Sequence, residues 1–294
     1  MDIIIAGGTG FVGSHMVRNL LADGHRPILI VRKAPKSKTS IPDDAAVIVH
    51  DPSEPFDKSD LKADAIINLV GIIREFPSKG ITFEKAHFEV TKNLVDLAQK
   101  NKIGHYLQMS ALGVGPEART GYLKTKLKSE EYLKSSSLKW TIFRPSMIYG
   151  PGGEAMRLFT RMVKYLPIVP VIGDGRYKLQ PVHVDDVCTA YMKALKDDRA
   201  IGRIFEFGGP QILTFNQILD EIGRVIGRKI VPRFHQPVGF THFMAGLFGR
   251  CPWFPVTNEQ IIMLLDDSFT EDNSMYELFD FEPRPFDLGL AEYL

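Results

Sequence analysis

The chain has 294 residues, of which 44% are hydrophobic and 24% charged, and its net charge is +1. That length can bury the core of one large or two medium domains, and the composition is that of an ordinary soluble globular protein. The charge balance provides no global field to draw in nucleic acid or an anionic membrane, and no apolar run approaches the ~20 residues of a membrane-spanning helix. Cys188 and Cys251 lie far apart without metal-ligand spacing, so reduced thiols in a cytoplasmic compartment are expected. The first strand begins at residue 2 or 3, which leaves no room for a signal peptide.

In chain order, Ile3-Ile4-Ile5-Ala6 is a short apolar run, followed at once by Gly7-Gly8-Thr9-Gly10-Phe11-Val12-Gly13. A helical stretch, Ser14 to Ala22, and a second apolar run, Ile28 to Val31, complete a strand–turn–helix–strand unit. In this unit Gly7 turns the chain off the strand, Gly10 lets a pyrophosphate approach the backbone, and Gly13 lets helix and strand pack closely. The N–H groups that open the helix then face phosphate. Further strands are expected at Ala46 to His50, Asp64 to Leu69, His105 to Met109 and Trp140 to Phe143. Helices are expected at Phe83 to Lys100 and about Gly121 to Lys134. Strands alternating with helices predict an α/β fold, a Rossmann-type doubly wound parallel sheet, with a smaller C-terminal substrate domain. Arg203 to Phe207 reads as one further sheet strand. The dinucleotide domain is therefore expected at 1–150 plus about 181–210, and the substrate or docking domain at about 151–180 plus 211–294.

The end of the second strand points to the nucleotide. A carboxylate there accepts from the ribose 2′-OH of NAD. This chain has Arg32, with Lys33, Lys36 and Lys38 behind it and no acid until Asp43. A phosphate reader stands where a carboxylate reader would be, so NADP(H) is expected in preference to NAD(H).

Tyr122 and Lys126 stand at i and i+4 on one helix face. A nearby ammonium would lower the phenol's pKa and suit the pair to proton transfer. Ser110 ends the fifth strand, at the carboxyl edge where open α/β sheets gather ligands. Catalytic roles are therefore assigned to Tyr122 as acid/base, Lys126 as its partner and holder of the nicotinamide ribose, and Ser110 as carbonyl polariser. Pro145, stopping the sixth strand with its fixed φ, shapes the wall of the nicotinamide pocket.

The glycine turn, Tyr122-x-x-x-Lys126, Arg144-Pro145-Ser146-Met147-Ile148-Tyr149-Gly150-Pro151-Gly152, Gly173-Asp174-Gly175 and Gln180 to Val187 occur in this order. Together with Phe205 to Pro210, over about residues 1–225, they resemble the extended or atypical short-chain dehydrogenase/reductases, the NAD-dependent epimerase/dehydratase family. Within it, Met109 to Val114, Leu166 to Pro170 and Gln180 to Val184 are most similar to the nucleotide-binding accessory subunit of respiratory complex I and its free-standing bacterial relatives. The resemblance implies a cofactor set of Gly7, Thr9, Gly10, Phe11, Val12, Gly13, Arg32, Asp51, Val70, Gly71, Lys126, Pro145 and Ile148, with Asp51 accepting from the adenine amino group. It also implies, for the complex I relative, tight NADPH binding without clear turnover. The chain departs from the extended pattern in two places: Ala111 follows Ser110 with Tyr122 only twelve residues later, and His87 replaces an asparagine in the helix after the fourth strand.

Two functions follow. The first is an NADP(H)-dependent oxidoreductase or epimerase-like enzyme acting on a carbonyl or carbinol substrate, with apolar, quinone-like or lipid-like compounds among the small molecules considered. The alternative is a non-catalytic NADP(H)-binding subunit or assembly protein that docks a protein partner through its C-terminal domain. His235 to Trp253, with Phe240, Phe243, Met244, Leu247 and Phe248, is read first as core or lid of the substrate domain. Its other readings are a surface for a lipid-like substrate, a membrane or a partner. The expected location is the cytoplasm, with peripheral membrane contact through this region as the variant. His183 before Asp185-Asp186 is read as a helix start capped by Asp185 rather than a metal site, and no metal is expected. Balanced charge without a basic stripe argues against nucleic acid.

Overall fold

A computed structural model describes residues 1–33, 41–56, 58–249, 254 and 256–294. Lys36, Lys38, Cys251 and Trp253 lie outside the described residues. The first half of the chain lays down β1 (Asp2–Ala6), α1 (Phe11–Ala22), β2 (Arg26–Val31), β3 (Ala46–Val49), β4 (Ala65–Asn68), α2 (Val90–Asn101), β5 (His105–Met109), α3 (Gly121–Ser135) and β6 (Lys139–Pro145). The second half adds β7 (Ile148–Tyr149), α4 (Glu154–Tyr165), β8 (Val169–Ile172), β9 (Lys178–Leu179), β10 (Val182–His183), α5 (Val184–Ala194) and β11 (Arg203–Phe207). It closes with β12 (Leu213–Thr214), α6 (Phe215–Val225), β13 (Arg233–Gln236), α7 (Val238–Phe248), α8 (Asn258–Leu265), α9 (Ser274–Phe279) and α10 (Phe286–Ala291).

Seven strands form one parallel sheet in the order β3-β2-β1-β4-β5-β6-β11. The fold is thus the Rossmann-type doubly wound α/β architecture, and Arg203–Phe207 is its last edge strand. Central strands covered on both faces must be apolar at every position, which is why β1 reads Ile-Ile-Ile rather than alternating. One face packs Met16, Val17 and Leu20 of α1, Val187 and Tyr191 of α5, and Met275 and Phe279 of α9. The other packs Val90, Leu94 and Leu97 of α2 and Leu133 of α3. A third cluster joins Met156 and Val163 of α4, Val171 of β8, Phe215, Ile218 and Ile222 of α6 and Phe286 and Leu290 of α10. Small strand pairs frame it: β8 with β13, and β9 with β12. Among the described residues no helix is long and apolar enough to cross a membrane.

Strand order reverses direction of travel on either side of β1, and the crevice between the carboxyl ends of β1 and β4 is the place such sheets offer a ligand. Two helices differ from their sequence limits. α1 begins at Phe11, since Gly10 already has the extended backbone of a helix cap. The stretch expected to be helical from Phe83 begins as a single π-type turn, Glu84–Glu89, before α2. Such turns are rare and gather at functional places.

Candidate functional site

The turn after β1 is closed by Gly10 N–H donating to Gly7 O at 3.0 Å. Gly7 takes φ +83°, where other residues are strained. A side chain at Gly13 would place its Cβ 2.1 Å from Gly7 O and 2.6 Å from Gly8 Cα. Gly10 caps α1 without a side-chain hydrogen bond, so the opening N–H groups of the helix are left to a ligand. Beside them lies a cleft of about 560 Å³.

Gly7, Thr9, Gly10, Arg32, Asp51, Val70 and Gly71 all line this cleft. Arg32 stands exposed at the end of β2. Asp51 is held by Ser53, whose N–H and Oγ donate to its Oδ1 at 3.0 and 2.8 Å. The other residues of the expected cofactor set stand behind the wall or beyond it. Gly13 is buried against the turn, Val12 and Ile148 pack on the sheet core, and the Phe11 ring lies against Gly153. Pro145 is buried and its carbonyl accepts from Leu112 N–H at 3.0 Å.

A flap covers one side of the cleft. It runs through Ile72, Arg74 and Phe76, turns over Pro77–Lys79, and returns at Ile81, which bridges to Phe76. The Arg74 guanidinium sits 5.3 Å from the Phe76 ring and donates to Gly249 O and Phe254 O, both at 2.8 Å. The cleft wall is thereby fastened to the end of α7.

Lys126 is buried with its ammonium donating to Met109 O at 3.0 Å and near Val70 O at 3.5 Å. Burial lowers its pKa to about 8, against the pull of Glu130. A Cβ on Gly71 would sit 3.3 Å from this nitrogen, which places Lys126 behind the cleft edge. Tyr122 stands on the same helix face. Its pKa moves opposite to the sequence expectation: burial pushes the phenol up to about 12, and Lys126 does not offset it. The reason is geometric: the ammonium is turned to the Met109 and Val70 carbonyls, and the Tyr122 ring is met edge-on by Phe83 at 5.9 Å and His87 at 5.1 Å.

Ser110 is 3% exposed and its Oγ donates to Glu130 Oε1 at 2.5 Å. Glu130, fully buried on α3, is clamped by Arg144, whose Nε and Nη2 donate at 2.9 and 2.6 Å. Arg144 Nη1 reaches Glu206 on β11 at 2.8 Å. A bidentate ion pair thus ties α3 to the last three strands, and the Ser110 hydroxyl is part of it.

His87, in the π-type turn, has Nδ1 2.8 Å from Thr125 Oγ1 and Nε2 3.2 Å from both the backbone N–H and the carbonyl oxygen of Ile72. The Thr125 hydroxyl in turn donates to Gly121 O at 2.8 Å. Burial lowers the His87 pKa to about 2, so the ring is neutral. His87 therefore couples the start of the flap to the helix bearing Tyr122 and Lys126. Asn68, ending β4, was not singled out in the sequence. Its Nδ2 donates to Gln108 Oε1 at 3.0 Å and its Oδ1 receives Val70 N–H at 3.1 Å, which turns the chain toward Gly71. A buried polar residue closing an all-apolar strand was the available signal.

The start of α5 also differs from expectation. Its cap is His183, whose Nδ1 receives Asp185 N–H at 3.3 Å, because His183 and not Asp185 has the extended backbone. Asp185 instead meets His15 of α1 at 3.1 Å, and His15 Nε2 donates to Pro151 O at 3.0 Å. Among the described residues no group of three or more His, Cys, Asp or Glu could hold a metal ion. Cys188 is buried and unpaired by any disulfide.

The likeness to known proteins agrees with this architecture. The chain is 28% identical to "NADH dehydrogenase [ubiquinone] 1 alpha subcomplex subunit 9, mitochondrial" of Arabidopsis thaliana, over 99% of this chain and 76% of that protein. Against the Mus musculus protein of the same description the identity is 24%, over 99% and 78%. The fold is that of the UDP-Glucuronic acid 4-epimerase from Bacillus cereus in complex with NAD, with a TM-score of 0.75 at 17% identity, covering 99% of this chain and 96% of that one. The profile described as "NAD dependent epimerase/dehydratase family" matches residues 3–208, and the chain belongs to that family.

Proposed function

We propose that the chain binds NADP(H) in the cleft between the carboxyl ends of β1, β2 and β4, and holds it mainly as a structural ligand of a nucleotide-binding subunit. The observation that carries the binding is that Arg32, Asp51 and the glycine turn line one cleft. The α1 N–H groups would face the pyrophosphate, Asp51 the adenine, and Arg32 the 2′-phosphate. Support for the structural role comes from Ser110, whose hydroxyl is engaged by Glu130, and from Tyr122, whose ring is packed edge-on against Phe83 and His87. The relatives that match along the whole chain are described as subunits of NADH dehydrogenase, which makes a protein partner the natural companion.

A second reading, carbonyl reduction or epimerisation, is favoured by one feature. Lys126 has its pKa lowered to about 8 on the same face as Tyr122 and lies against Gly71. Bound nicotinamide would supply the hydride; Tyr122 would hold the proton and Lys126 the ribose. A relative described as "Ceramide reductase" from Caulobacter vibrioides, 27% identical over 63% of this chain and 57% of that protein, makes an apolar carbonyl substrate the first to try.

Calorimetry with NADP and NAD in parallel tests the binding. NADP should bind more tightly, and Arg32→Ala should cost about 10- to 100-fold for NADP while leaving NAD unchanged. Equal affinity for the two nucleotides would remove the 2′-phosphate assignment. Tyr122→Phe separates the two readings, since a structural role predicts unchanged NADP affinity and no turnover to lose.

A further inference from the structure

The C-terminal lobe contains a second cavity of about 460 Å³, none of whose wall residues borders the nucleotide cleft. Leu158, Phe159 and Met162 of α4, Phe215 of α6, and Phe240 and Met244 of α7 contribute large apolar side chains to its wall. Its volume falls in the range of about 300–1,000 Å³ typical of small-molecule sites. Polar side chains are few: Thr241 gives its hydroxyl to Pro237 O at 3.3 Å, and Gln236 and the buried Tyr177 hydroxyl, which has no hydrogen-bond partner, are the others. A sugar or nucleotide placed there would leave most of its water hydrogen bonds without replacement, whereas a hydrocarbon chain has none to lose.

The cavity reaches the surface. Leu158 and Phe240 belong to its wall and are also 41% and 57% exposed. From that mouth the apolar surface continues along α7 through Phe243 and Leu247, 63% and 59% exposed, at i, i+3 and i+7 from Phe240. The segment Val238–Phe248 contains no Asp, Glu, Lys or Arg. A helix apolar on all sides is normally enclosed, so three large bare side chains on one face call for an occupant. On the adjoining helix, Arg157, Arg161 and Lys164 of α4 are exposed beside Leu158. Exposed aromatic and leucine side chains flanked by cations make up the pattern by which a surface settles on anionic lipid.

We propose that this cavity takes the hydrocarbon chain of an anionic amphiphile of the fatty-acyl class, drawn from a membrane surface on which the Phe240–Leu247 face of α7 rests. The carboxylate or phosphate head stays at the mouth near Arg161, one turn from Leu158, and the chain runs in between α4, α6 and α7. This second site stands independently of the nucleotide assignment.

The test titrates the full chain with octanoate, decanoate, dodecanoate and myristate. Affinity should rise about fourfold per added methylene until the cavity is filled. Met244→Trp and, separately, Met162→Trp fill the cavity and should abolish dodecanoate binding, with urea unfolding and far-ultraviolet circular dichroism reporting that each variant is folded. Should both tryptophan variants misfold, Leu158→Asp at the mouth should weaken dodecanoate by about tenfold or more through charge repulsion. In the second arm the chain should co-sediment with phosphatidylglycerol vesicles and not with phosphatidylcholine vesicles. Phe243→Asp with Leu247→Asp should abolish that sedimentation while dodecanoate affinity stays within about twofold. Affinity indifferent to chain length, or folded fill-in variants that bind dodecanoate as the parent does, would overturn the proposal. So would indifference to phosphatidylglycerol vesicles, an outcome that leaves the α7 face to a protein partner.

Discussion

The nucleotide cleft and the lobe cavity are built by opposite means. The floor of the cleft at the sheet edge is shaped by backbone, a glycine turn, the ends of three strands and the N–H groups of α1, with Arg32 and Asp51 at its rim and the flap side chains Arg74 and Phe76 on one side. The cavity in the C-terminal lobe is shaped by largely apolar side chains from helices, from β8 and β13 and from the segments between them. A backbone site is intolerant at a few positions and indifferent elsewhere. A side-chain site spreads its tolerance over many residues, because apolar walls of equal volume can be exchanged with modest loss.

The sharpest way to break this contrast is Gly13→Ala. The new Cβ meets Gly7 O and Gly8 Cα, both main-chain atoms that cannot step aside. NADP binding should fall below detection in calorimetry, and chemical denaturation should show a loss of about 3 kcal/mol or more. Glu130→Gln should come next. It leaves Arg144 facing a neutral amide in a site where Glu130 is fully buried, and breaking such a pair costs about 3–5 kcal/mol. Urea midpoints should report this loss, and a variant within about 0.5 kcal/mol of the parent would deny the network its structural role.

His87 supplies a pH-dependent test. Its pKa is about 2 in the folded chain against 6.5 as a free side chain, so the unfolded state binds the extra proton in between. The stabilisation is complete above pH 6.5 and is lost as pH falls toward 2, at up to about 1.4 kcal/mol per pH unit. In His87→Gln this part of the acid sensitivity should vanish, which paired denaturation curves near neutral and mildly acid pH would reveal. The smallest effect is expected on the apolar side: Met162→Leu conserves wall volume and should cost less than about 1.5 kcal/mol by thermal or urea unfolding.

How much of this was legible follows the same division. The strand–turn–helix unit and the strand-end positions of Arg32 and Asp51 depend on local sequence, and the sheet brings them together as the motif requires. Ser110 illustrates the limit. Its place at the end of β5 was readable, but its bond to Glu130 required knowing where α3 crosses the strand. One signal was present: Tyr122, Lys126 and Glu130 succeed one another at four-residue spacing, so a buried acid on the same face could have been suspected. The cap of α5 was placed two residues late because backbone conformation, not acidity, decides which residue caps. Of the lobe cavity only the aromatic stretch with Phe240 and Met244 was legible, since the rest of its wall comes from segments up to a hundred residues away whose apolar positions look like ordinary core.

Arg74 spans the distance between the two cavities. It borders the cleft, yet its guanidinium holds carbonyls at Gly249 and Phe254, where α7 ends and the lobe cavity's wall continues. One guanidinium occupies one position at a time. An occupant of the cleft that favours a different Arg74 position changes the free energy of the helix end, and an occupant of the lobe acts back on the cleft by the same factor. Occupants of the two sites would then be thermodynamically reciprocal through a single side chain, and the sign of that reciprocity is set by whether an occupant of the cleft tightens or loosens the Arg74 tether.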